Sequence, residues 1–173
     1  YLPHLAIIIA ALLWSLDAFL RQSLYTLSPL LIITLEHGIG SLLFIPILVG
    51  NWKKLKTLKQ TVWISLLWIS ILGGICGTYF YTKALSYVGY IDLSVVVLLQ
   101  KFQPLFAVSL AAIVLKEKLS KRYLVLALCA MIGGYLVTFG SDPIPTGDNN
   151  TLIAALFSLL AAFCWGSSTV LGK

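Results

Sequence analysis

Charged side chains are scarce in this sequence, 10% of 173 residues, where a soluble domain carries about 25%. With 60% hydrophobic residues, that shortage excludes an ordinary hydrated surface and turns most of the chain toward lipid. Histidine is limited to His4 and His37, too few for a metal centre. Cys76, Cys129 and Cys164 all fall within apolar stretches, at spacings that suit no metal. Neither His-Glu-x-x-His nor Gly-x-Ser-x-Gly occurs, so no hydrolytic chemistry is expected. The chain is read as a non-enzyme with no cofactor and no metal. Long polar linkers are missing too.

What fills the chain instead is a series of apolar stretches. Five occupy residues 4–140 and a sixth runs from Leu152 to Gly172. Each is long enough to cross a bilayer, which takes about 20 helical residues. The net charge of +6 would suit nucleic acid, but its placement argues otherwise. Lys53, Lys54, Lys56 and Lys59 lie between the second and third stretches; Lys116, Lys118, Lys121 and Arg122 lie between the fourth and fifth. The alternate connections carry no basic residue, and Asp92, Asp142 and Asp148 fall in them. By the positive-inside rule the basic loops and the N-terminus are cytoplasmic. The expected partners are a bilayer, of the inner or plasma membrane, and a small molecule, not nucleic acid.

The sixth stretch repeats the first without a gap. Ala10-Ala11-Leu12-Leu13-Trp14 aligns with Ala161-Ala162-Phe163-Cys164-Trp165, and Leu20 with Leu171. After five spans, a second copy enters from the opposite face, as in the inverted repeats of secondary transporters. The expected fold is all-α and membrane-integral: a five-helix repeat over 1–140, an outer loop over 141–150, and the first helix of an inverted second repeat over 151–173. It reads as an incomplete ten-helix transporter. Short connections further predict that consecutive helices are neighbours. Pro46 predicts a kink or early loosening of the second helix, and Gly73 and Gly77 predict close helix packing.

Charges inside a bilayer cost about 2.5–3.5 kcal/mol each on insertion scales, so those present need a reason. At 1.5 Å per residue from the outer helix ends, Asp17, Arg21, Glu36, His37, Lys83 and Lys101 lie about 7 to about 15 Å deep. One layer holds them all, read as the wall of a water-accessible cavity. Asp17 and Arg21 are four apart and pair on one helix face. Glu36 is expected to neutralise Lys101, His37 to hydrogen-bond a neighbouring helix, and Lys83 to snorkel. Lys101 sits between Gln100 and Gln103, just before Pro104, whose missing N–H kinks the helix. It is either a cavity residue or the static counter-ion of that kink. The two intramembrane carboxylates, Asp17 and Glu36, make proton coupling a further expectation.

These residues resemble the EamA-type branch of the drug/metabolite transporter superfamily. The resemblance rests on Ala11-Leu12-Leu13-Trp14-Ser15 with its echo at 162–168, on Gln103-Pro104-Leu105-Phe106-Ala107 with the Lys116-Glu117-Lys118 turn, and on Gly133-Gly134-Tyr135-Leu136-Val137. Glu36-His37 stands where many relatives carry Arg. The resemblance implies ten helices in two inverted five-helix repeats around a central cavity. The expected function is alternating-access movement of small polar metabolites, amino-acid-like or related. Trp14, Asp17, Glu36, Lys101 and Gln103 are the candidate substrate contacts, and Arg21, His37 and Lys83 are coupling or structural ion pairs. The alternative is a non-transporting scaffold or small lipid-handling bundle. Substrate identity, direction, driving ion and oligomeric state are not read from the sequence.

Overall fold

A computed structural model describes residues 2–24, 26–114, 116, 118–140 and 149–172. Most of the expected outer loop, 141–148, lies outside the described residues, as do Tyr25, Leu115 and Glu117. Among the described residues the structure is helical without strands. In chain order it comprises α1 (Leu2–Gln22), α2 (Pro29–Gly50), a short α3 (Trp52–Leu55), α4 (Gln60–Trp68), a π-helical segment (Ile69–Gly77), α5 (Thr78–Leu85), α6 (Leu93–Gln100), α7 (Gln103–Val114), α8 (Lys121–Phe139) and α9 (Asn149–Leu171). Six spans result, because α4, the π segment and α5 are continuous, and α6 and α7 form one broken span.

Local chemistry sets the helix ends. Ser28 caps α2 by accepting the Leu31 N–H, with Pro29 at the first helical position, where its missing donor costs nothing. Ser120 caps α8 in the same way through Tyr123 N. The loosening expected at Pro46 does not end α2, which runs unbroken to Gly50. Asn51 closes that end, its side-chain amide donating to Ile47 O at 2.9 Å.

The main packing is not between consecutive spans, as short loops predicted. It centres on α9, which packs against α7, the π segment, α5 and α6. Apolar burial gives little drive within lipid, so close backbone approach between small residues holds such bundles. The residues of α9 fit that demand: Ala154, Ser158, Ala161 and Ala162 are wholly buried. At Gly166 a β-carbon would fall 2.8 Å from Gln103 O and 3.0 Å from Ala107 N, so only glycine lets α9 meet the α7 backbone. The glycine packing expected in the third span holds at Gly77, where a β-carbon would sit 2.6 Å from Trp165 Nε1. By contrast α1, α2 and α8 expose most of their large apolar side chains, the pattern of lipid-facing helices. The protein is an all-α integral membrane protein.

The π segment has no counterpart in the sequence reading, which gave one regular helix there. Its wider turns are rare and tend to occur at functional sites. The Gly73 carbonyl within it accepts the Trp165 indole N–H at 2.8 Å, tying the third span to the sixth.

Candidate functional site

Four of the six ionisable groups of the layer, Asp17, Arg21, Glu36 and Lys101, line two adjoining cavities that share Trp14 and Tyr81. The smaller, about 370 Å3, is walled by Asp17, Arg21, Glu36, Thr78 and Trp165 as well. Arg21 is its organising group. Nε donates to Asp17 Oδ2 at 2.8 Å and Oδ1 at 3.0 Å, Nη2 to Glu36 Oε2 at 2.8 Å, and Nη1 to Thr82 Oγ1 at 3.2 Å. The planar fork of a guanidinium suits this division of labour, because its donors point in fixed separate directions. One side chain therefore ties α1, α2 and α5 together. The expected Asp17–Arg21 pair is present. The expected Glu36–Lys101 pair is not: Glu36 is taken by Arg21, whose fork reaches it from α1.

The larger cavity, about 830 Å3, opens between α1, α5 and α6. Ligand pockets typically span about 300–1,000 Å3. Trp14, Ser15, Tyr81, Ser94, Gln100 and Lys101 give it its chemistry, and Asp92 lies on its lining at the start of α6. Trp14 is 58% exposed, and the Lys101 ammonium lies over its ring, 5.1 Å from the centroid, a cation–π geometry. Among the described residues no carboxylate lies within ion-pair distance of Lys101. Tyr81 is buried and packs its ring 5.5 Å from that of Trp165.

Backbone geometry explains how neighbours in sequence both reach this cavity. Adjacent residues of a regular helix point about 100° apart. Here the span breaks at Lys101 (φ −70°, ψ 0°) and Phe102, and α7 restarts at Gln103 with Pro104 second. Pro104 has no N–H for the Gln100 carbonyl, and Phe102 N instead bonds Leu99 O in a tighter turn. Gln100 and Lys101 consequently line one space.

Several expected site residues lie elsewhere. Gln103 is half-buried and lines neither cavity; Gln100, on the other side of the break, occupies the place the sequence reading gave it. His37 bonds its own helix, Nδ1 to Ile33 O at 3.1 Å, rather than a neighbour, and its ring lies against Gly74 of the π segment. Lys83 sits 5.4 Å from the Tyr87 ring centroid, outside both cavities. Gln100, Thr82 and Tyr81 are site residues that were not expected from the sequence. For Gln100 a signal existed, since it adjoins Lys101 immediately before the proline break.

The sequence profile of the EamA-like transporter family matches residues 2–139. The riboflavin transporter ImpX of Fusobacterium nucleatum subsp. nucleatum is 39% identical over 173 residues, covering 98% of this chain. The chain spans 58% of that relative's length. No solved structure matches it. The profile takes in the first five spans, the Arg21 cluster, Lys101 and the broken fourth helix, and the chain belongs to the EamA-like transporter family, a family of transporters and not of enzymes.

Proposed function

We propose that these helices form part of a membrane transporter that moves a small polar metabolite built on a planar heteroaromatic ring, riboflavin being the compound to test first. The observation that carries this reading is the Trp14 indole on the wall of the 830 Å3 cavity, capped by the Lys101 ammonium and sharing the lining with Tyr81 and Gln100. A flat ring gains from offset stacking on an indole, whereas an aliphatic amino acid would leave that face unused. The name of the relative, a riboflavin transporter, supports the same class. Lys101 would leave the indole as the ring enters and donate to a ring carbonyl, a charge-assisted bond.

In this reading α9 opens a second, inverted repeat, and alternating access is a rocking of one repeat against the other about the cavity. The basic loops at 53–59 and 116–122 support a cytoplasmic N-terminus in an inner or plasma membrane. Arg21 with Asp17 and Glu36 fixes the relative position of α1, α2 and α5. Asp17 and Glu36 are also the groups through which proton coupling would run. The test is accumulation of labelled riboflavin and of a labelled amino-acid panel in cells expressing the protein. Riboflavin movement that a Trp14→Leu change removes supports the reading; amino-acid movement alone overturns the substrate class, and no movement of either overturns transport.

A further inference from the structure

Gln100 closes α6 on the wall of the larger cavity with 2% of its surface exposed. Among the described residues nothing hydrogen-bonds its side-chain amide. Buried side-chain amides are nearly always bonded, and one left unpaired weakens a fold. Thr82, equally buried, shows the ordinary case, since Arg21 satisfies it. An unpaired buried amide on a cavity wall is a group that a ligand in the cavity can satisfy.

The amide also limits what that ligand is. It carries a carbonyl acceptor and an N–H donor side by side. The group that satisfies both at once has an N–H next to a C=O, as in a ring lactam or imide. Lys101 lines the same cavity and brings a further donor, and Trp14 supplies the stacking surface. Trp14 and Gln100 line the same cavity, so a ring stacked on the indole has the amide on its wall.

We infer that Gln100 reads the lactam or imide edge of a planar heterocyclic substrate, selecting rings that carry adjacent N–H and C=O groups. This rests on the reading above that the cavity takes a flavin-like ring. The test is competition against the binding of radiolabelled riboflavin to the purified protein in lipid nanodiscs, read by the label that stays bound. The competitors are lumiflavin, which keeps the imide N–H, and 3-methyl-lumiflavin, which lacks it.

The expected result is that 3-methyl-lumiflavin competes about tenfold more weakly than lumiflavin, the loss of a paired buried donor and acceptor. Gln100→Leu should narrow that gap to about twofold while melting at the same or a higher temperature, since it removes an unpaired amide from the wall. Equal competition by the two flavins in the unmodified protein overturns the role of Gln100 alone, and needs no variant that folds. Failure of riboflavin and lumiflavin both to bind overturns the substrate reading, and this inference with it.

Discussion

The Arg21 guanidinium on α1 reaches Glu36 on α2 at 2.8 Å while holding Asp17 on its own helix at the same distance. Two carboxylates at this depth are compatible with a membrane because one cation serves both. Removing that cation leaves both unpaired. Breaking a buried ion pair from one side costs about 3–5 kcal/mol; here the cost should be lower, roughly 2 kcal/mol, because the Glu36 side chain is 44% exposed. Arg21→Met should therefore lower the melting temperature in detergent, and Arg21→Lys should recover only part of the loss because it has no fork. Adding Asp17→Asn and Glu36→Gln to Arg21→Met should restore much of it. Unchanged melting of Arg21→Met would show that the cluster does not hold these helices.

A second expectation concerns water. Lys101 is exposed and lines the larger cavity. A Lys101→Cys variant, with Cys76, Cys129 and Cys164 changed to Ala, should react with a membrane-impermeant cationic thiol reagent. Riboflavin at saturation should slow that reaction. A residue facing lipid would stay unmodified, and that outcome would remove the cavity.

The contact of Gly77 with Trp165 makes a third. Gly77→Ala drives a β-carbon into the indole and should cost about 1–3 kcal/mol, the usual range for overpacking. Trp165→Phe alone loses the N–H bond to Gly73 O, about 0.5–1.5 kcal/mol. Because the smaller ring relieves the clash, the double variant should be more stable than the sum of the singles predicts. Strict additivity in thermal denaturation would mean that the two residues do not meet.

Pro104 gives a fourth. Pro104→Ala supplies the donor that the Gln100 carbonyl lacks and allows the fourth span to run as one helix. Stability should rise by about 1 kcal/mol, while substrate movement falls because Gln100 and Lys101 no longer share a cavity. Transport unaffected by a straightened helix would separate the break from the site.

The parts legible in the sequence are those fixed by local rules. Span positions follow from apolar runs, and the Asp17–Arg21 pair follows from helical spacing of four. Relative level along the helices was legible as well, since rise per residue is constant, and it brought Asp17, Arg21 and Glu36 within reach of one another. Rotation about each helix axis was not legible. That is why Glu36 went to Lys101 in the sequence reading and to Arg21 in the structure. The same gap misplaced Gln103: a break at residues 101–102 changes the facing of everything after it, and periodicity assumes there is none. The central place of α9 had a visible signal in Ala154, Ser158, Ala162 and Gly166, small residues four apart. The π segment had only Gly73, Gly74 and Gly77, which read equally as packing.

The central claim is that the Trp14 face receives a planar heteroaromatic substrate. The most direct measurement is riboflavin binding to the purified protein, followed by quenching of flavin fluorescence on an adjacent indole, in the unmodified chain and in Trp14→Leu and Trp14→Phe. The account predicts saturable quenching that falls about tenfold or more in affinity with Leu, at about 1–3 kcal/mol for a stacked aromatic contact, and is largely kept with Phe. Binding of equal strength in all three would contradict it.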